Sequence, residues 1–198
     1  MRSATIRMAS RGIMCNQAVE SAATVRLLDG RVVSLRRLGA DDAEAVMTLH
    51  QHLSDLDRYY RFFTLHPVQL DELVNKLTEP AGGRYALGAF DADRLIGLAN
   101  YTVVCDDPRE AEIAIIVAHE DHSLGVGTAL LKRLAQIART EGIGRFVADV
   151  IGENRLMLRV LFDLGWPCKP TYYGAAQRLD IELPECHTEP LLATESPQ

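Results

Sequence analysis

No run of apolar residues in this 198-residue chain approaches the length a membrane-spanning helix needs. The N-terminal stretch carries Arg2, Arg7 and Arg11 but lacks the apolar block of a secretory signal. It is free of acid until Glu20, as a transit peptide would be, yet a disordered tail over residues 1–23 is the expectation. Cysteine is scarce and scattered. Cys15, Cys105, Cys168 and Cys186 make no C-x-x-C pair, and a chain of this size has core enough without disulfides, so free thiols in a reducing, cytoplasmic setting are expected. No Lys/Arg cluster contradicts the formal net charge of −6, which argues against a nucleic-acid surface. That acidic balance mildly favours amines or basic peptides as partners. Internal repeats are absent.

With 47% hydrophobic and 24% charged residues, the composition fits one globular domain, placed at 24–183, with a second tail at 184–198 rich in Pro, Glu and Thr. A second domain of normal size would not fit beside it. Asp29-Gly30, between two β-branched runs, signals a hairpin over Thr24 to Leu38. Asp41, with Glu44 three residues on, has the arrangement of a capping box opening a helix striped by Ala45, Val46, Leu49 and Leu53. A second short helix over Ser54 to Thr64 carries four aromatics, read as core more than site. Leu70, Leu73, Val74 and Leu77 give a third helical stripe. Strands follow at Tyr85 to Phe90, Leu95 to Cys105 and Arg145 to Ile151, with a helix at Asn154 to Leu164 and closing strands around Tyr172-Tyr173 and Arg178 to Leu183. An antiparallel meander followed by one parallel β-α-β unit makes an α+β protein, its mixed sheet covered by helices on both faces.

The chain is organised around Glu112 to Thr140. Ile113 to Val117 has the length and branching of a buried strand, and from Thr128 onward Leu130, Leu131, Leu134, Ile137 and Ala138 recur at helical spacing. Gly142 stops that helix. Between strand and helix, Gly125-Val126-Gly127 leaves the backbone bare where a helix N-terminus offers unpaired N–H groups, a ready site for phosphate or pyrophosphate. Thr128 follows Gly127 with no lysine, which rejects a P-loop. Leu130 stands where a dinucleotide fingerprint needs Gly or Ala, although Asp149, at the end of the next strand, keeps that idea open. A plain turn with no ligand is the third reading.

His122-Ser123-Leu124-Gly125-Val126-Gly127 resembles the Gln/Arg-x-x-Gly-x-Gly/Ala motif of the GNAT superfamily of acyl-CoA-dependent N-acetyltransferases, matching both glycines but not the leading residue. Leu53-Ser54, Tyr60-Arg61-Phe62-Phe63 and Gly152-Glu153-Asn154-Arg155-Leu156-Met157 resemble the bacterial Pat-type protein lysine acetyltransferases. The resemblance covers roughly Thr24 to Leu183. Pat-type enzymes are often fused to a cyclic-nucleotide-binding or acyl-CoA-synthetase-like domain, for which this chain has no room.

The resemblance implies acetyl-CoA as cosubstrate and an amine as acceptor, a protein lysine ahead of a small amine. A lysine amine has a reference pKa of about 10.4, so a positioned base is needed. The acidic residue of a similar Ala-Glu-Ile stretch implies Glu112 for that role, with Glu110 as a rival that strand alternation puts on the same face. Backbone N–H groups of His122, Ser123, Leu124, Gly125, Val126, Gly127 and Thr128 would hold the pyrophosphate. Ile115, Ile116 and Val117 would pair with the pantetheine arm as a strand edge, and one backbone N–H there would polarise the thioester. Asn154 would contact the cofactor or cap its own helix, and Phe162 would lie beside the cofactor. The tyrosine that many members use to protonate the thiolate is replaced by Leu161, which leaves Tyr172 or Tyr173 as substitutes. No cysteine is placed for an acetyl-enzyme route, and no metal is expected, since His119-Glu120-Asp121-His122 reads as a polar loop. A homodimer is compatible with these features, whereas a membrane or nucleic-acid partner is not. The rival of another class is a non-catalytic acyl-CoA-binding module.

Overall fold

The computed structural model describes residues 22–64 and 69–185, so Cys15, Cys186 and most of both expected tails lie outside the described residues. Eight strands form one sheet in the order β1-β2-β3-β4-β5-β6-β8-β7. They are β1 (Ala23–Arg26), β2 (Val32–Arg37), β3 (Arg84–Asp91), β4 (Arg94–Val104), β5 (Asp107–Val117), β6 (Arg145–Ile151), β7 (Cys168–Tyr173) and β8 (Ala176–Glu182). Among the described residues five helices cover it: α1 (Ala43–Gln51), α2 (Asp55–Phe62), α3 (Leu70–Thr78), α4 (Val126–Thr140) and α5 (Arg155–Leu164). Every pairing is antiparallel except β5 with β6. The mixed sheet and the single parallel unit expected from the element order are therefore present.

The local signals act as their chemistry requires. Gly30 closes the first hairpin at φ 90°, and Gly142 follows α4 at φ 86°, conformations that cost a residue without a Cβ little. The opening of α1 differs from the expected Asp41–Glu44 box. Residues Ala40–Asp42 form a 3-10 turn, and the Asp42 carboxylate accepts the Gly39 N–H at 2.9 Å while pairing with Arg36. A partner six residues back, at Arg36 on β2, decided which acid caps.

Alternation along β4 and β5 sorts side chains onto two cores. Tyr101, Ala99 and Ile113 face α4, where Leu130, Leu131 and Leu134 are fully buried. Leu98 and Ile116 face the other side, against Val46, Leu49 and Leu53 with Val74 and Leu77 of α3.

The decisive feature is a fork. β5 stays paired with β4 as far as Gly97↔Val117, but its parallel pairing with β6 ends at Glu112↔Val147. β6 meanwhile stays on β8 to Ile151↔Ala176. Beyond Glu112 the strands diverge and leave the backbone edge of Ile113–Val117 without a strand partner on that side.

Candidate active site

The fork opens a cleft of about 700 Å³. Glu112 stands at its apex, Ile113 to Val117 form one wall, and Ala148, Asp149 and Val150 of β6 form the other. Gly125, Val126, Gly127 and Thr128 of the glycine turn close one end. The first helical bond of α4 runs from Ala129 N–H to Gly125 C=O at 3.0 Å, and among the described residues no side-chain cap bond closes this helix start. Gly125 itself is left-handed, φ 91°. Bare amides and the positive end of a 15-residue helix dipole thus face the cleft.

The turn is braced from outside. Asp121, 1% exposed, accepts Arg31 at 2.7 Å and Arg94 at 2.9 Å, and Leu28 N–H donates to the Leu124 carbonyl at 3.1 Å. The hairpin tip is thereby fastened to the turn, with Leu28 lining the cleft beside Gly125. Removing this carboxylate takes from two guanidiniums their one buried partner, leaving Arg31 to Asp29 and Asp91 and Arg94 to Glu120 nearer the surface. Asp121→Ala is expected to lower Tm by about 5 °C; a scanning-calorimetry melt unchanged from wild type would mean that the brace carries no stability.

The expected site residues divide as follows. Glu112, Ile115, Ile116, Val117, His122, Ser123, Gly125, Val126, Gly127, Thr128 and Asn154 all line the cleft. Leu124 instead packs into the core. Asn154 caps α5, its Oδ1 accepting the Met157 N–H at 3.0 Å, while still bordering the cleft. Phe162 lies outside the cleft and is 85% exposed. α5 turns Val160 to the cleft and buries Leu161, and the next residue, about 100° further round the helix, points to solvent. Tyr173 lines the cleft, whereas Tyr172 does not.

Glu110 and Glu112 share a face but not an environment. Glu110 is bound by Arg145 and by Arg178, the latter at 3.3 Å. Glu112 has no hydrogen bond or ion pair among the described residues and opens into the cleft.

Sequence reasoning weighed the α2 aromatics as core ahead of site; Phe62 does pack on the core, but α2 also supplies a wall of the cleft. Leu53, Asp57, Tyr60, Arg61 and Phe63 all border the cleft. Ser54 caps that helix, accepting the Asp57 N–H at 3.1 Å. Tyr60 Oη donates to the Glu153 carbonyl at 3.2 Å, tying α2 to the β6–α5 turn. Arg61 has a buried Nε with no partner among the described residues. Burial pushes its guanidinium down to about 10, a shift that the Glu112 carboxylate opposes, so it remains a cation near neutrality. The only hint in the sequence was the resemblance carried by Tyr60 to Phe63.

Comparison with known proteins gives a consistent picture. The family model described as Acetyltransferase (GNAT) family matches residues 48–166. An acetyltransferase of Pseudomonas aeruginosa is 28% identical over 155 residues, 75% of this chain and 83% of its own. The GNAT domain of S. lividans PAT superimposes with a TM-score of 0.74 at 30% identity, over 82% of this chain and 97% of that one. A spermidine N-acetyltransferase from Vibrio cholerae, solved with CoA and spermine, has a TM-score of 0.61 at 22% identity, over 76% and 95% of the two chains.

Proposed function

The chain belongs to the acetyltransferase (GNAT) family, whose members use acetyl-CoA, and on that premise we propose that it acetylates protein lysine side chains with Glu112 as general base. The observation that carries this reading is the fork, which leaves a free carboxylate at the apex of a cleft with a bare strand edge on one side and a bare helix N-terminus at one end.

The pyrophosphate would sit on the amides of Val126, Gly127 and Thr128. The pantetheine arm would pair along Ile113 to Val117, taking the place of the missing strand neighbour. That brings the thioester toward Glu112. At neutral pH fewer than about one lysine in a thousand is free base. Glu112 takes the ammonium proton, the amine nitrogen bonds to the acetyl carbon, and the C–S bond breaks. A β5 amide would stabilise the oxyanion in between. The thiolate leaves and takes up the second proton, which the acylated nitrogen gives up, relayed through solvent or through Tyr173, the cleft-lining tyrosine of the closing hairpin.

A protein acceptor fits the rim better than a small polyamine does. Phe63, Leu156 and Tyr173 line the cleft with 43%, 47% and 64% of their surface exposed, an apolar border suited to the chain around a lysine. Arg61 beside Glu112 also disfavours an acceptor carrying several ammonium groups.

Calorimetric titration with acetyl-CoA, followed by turnover on lysine peptides and on polyamines, tests the proposal. Saturable binding with peptide turnover supports it; turnover on polyamines alone would replace the acceptor, and binding without turnover on any amine would leave an acyl-CoA-binding module. Gly125→Val puts a branched side chain at φ 91° beside the pyrophosphate turn. It is expected to weaken acetyl-CoA at least about tenfold, read by the same titration. Unchanged affinity would place the pyrophosphate elsewhere.

A further inference from the structure

His119 and His122 stand on the turn that leads into α4, and Asp57 stands on α2 across the cleft mouth. One ligating atom from each of the three lies within 4.8 Å of the others. The set differs from the one the sequence offers. Asp121, between the histidines in the chain, is committed to Arg31 and Arg94, and Glu120 pairs with Arg94 at 2.9 Å. The third oxygen ligand comes instead from another helix.

We propose that Asp57, His119 and His122 form a binding site for a divalent transition metal of the zinc class, a two-imidazole, one-carboxylate set with a coordination position open to water. The donor chemistry suits that class, because imidazole nitrogen with carboxylate oxygen is a zinc combination, whereas calcium and magnesium take oxygen ligands. Three protein ligands leave a tetrahedral ion one exchangeable position.

The supporting contacts are those of a ligand set. The Val117 carbonyl can only accept, so His122 Nε2, 3.0 Å away, carries the proton. That bond orients the ring and leaves Nδ1 as the nitrogen with a lone pair to give, the arrangement in which a metal-bound histidine donates its other N–H to a backbone carbonyl. Ser54 Oγ donates to Asp57 Oδ2 at 2.6 Å, orienting the carboxylate. His119 Nδ1 already lies 3.6 Å from the same Oδ2. Ligands around a tetrahedral zinc are about 3.4 Å apart for bonds of about 2.1 Å, so the set must contract. The mobile member is available, since the His119 side chain is 76% exposed and can swing inward.

The ion would join α2 to the turn that opens α4. Asp57 and His122 both line the cleft, so the metal would hold two of its walls at one separation. This inference needs neither the acceptor nor the base proposed above, and its test reads no turnover.

The untagged chain, freed of metal with a chelator, is titrated calorimetrically with zinc chloride and separately with cobalt(II), whose visible absorption reports its geometry. The expected result is one zinc per chain with a Kd of about 10 µM or tighter. A four-coordinate cobalt spectrum and a Tm that rises with zinc should accompany it. His119→Ala and Asp57→Asn should each weaken zinc at least about tenfold. His52→Ala, altering the exposed histidine just past α1 whose Nδ1 donates to the Thr48 carbonyl, should leave it unchanged. Absence of saturable binding, or binding that the two site variants leave intact, overturns the proposal and leaves His119 and Asp57 as a plain polar contact.

Discussion

Replacing Glu112 with glutamine is expected to reduce turnover by about 10²-fold or more while leaving acetyl-CoA affinity within about twofold of wild type. The substitution keeps the shape and removes the carboxylate that would take the proton. Neither the strand edge nor the α4 amides change, so binding should be spared. Glu110→Gln supplies the contrast. Glu110 lies one pleat away on the same strand face, but it answers Arg145 and Arg178. Its loss should lower the melting temperature and change turnover far less. Parallel kinetics and titration calorimetry on both variants decide the matter. Unimpaired turnover in Glu112→Gln would remove Glu112 from the chemistry, and an equal loss in the two variants would point to a structural effect of the pair.

The second large effect is a loss of stability in mild acid, originating at His50. This side chain is 1% exposed at the back of α1, its ring 6.1 Å from that of Phe62. Its Nδ1 donates to the Val46 carbonyl at 2.8 Å, and its Nε2 is buried without a partner. Burial pushes its pKa down from 6.5 to about 4; the Val46 carbonyl opposes that shift and the Arg61 charge adds to it. Unfolded, the imidazole binds its proton near pH 6.5; folded, only near pH 4. Across that window the unfolded chain holds more protons, so stability falls as pH falls. The contribution is complete above about pH 6.5, is lost progressively on the way down, and amounts to about 3 kcal/mol.

Denaturant unfolding of wild type and His50→Leu at pH 7 and pH 4.5 measures this. The wild type should lose about 2 kcal/mol or more between the two, and the variant distinctly less. An identical loss in both would assign the acid sensitivity to other groups. The carboxylates of Asp29 and Asp42, held below the usual range by Arg31 and Arg36 respectively, weaken only at lower pH and so fall outside this comparison. Because His50 packs behind Phe62, its protonation would loosen the helix that carries Tyr60 and Arg61 into the cleft.

The parts of the site legible in the sequence are those whose function follows from local backbone. Gly125 and Gly127 mark a bare turn before an amphipathic run, and Asn154 sits where an N-cap belongs; both signals are short-range and survive whatever the chain packs against. Glu112 was legible only through resemblance, and alternation alone did not separate it from Glu110. Phe162 illustrates the limit of counting along a helix. A shift of one residue turns a side chain by about 100°, from the buried place of Leu161 into solvent.

By itself, the order of apolar periods, turns and caps determined an α+β chain with a meander, a single parallel β-α-β unit and a glycine turn opening a helix. Those properties depend on residues a few positions apart. Tertiary structure alone decided where β5 and β6 stop pairing, which carboxylate that divergence leaves free, and that α2 brings Asp57, Tyr60 and Arg61 to the opening. The reason is physical. A strand's period records which face each residue takes, not how many residues its neighbour will accompany, and charge pairing between distant segments is set by packing that no local pattern encodes.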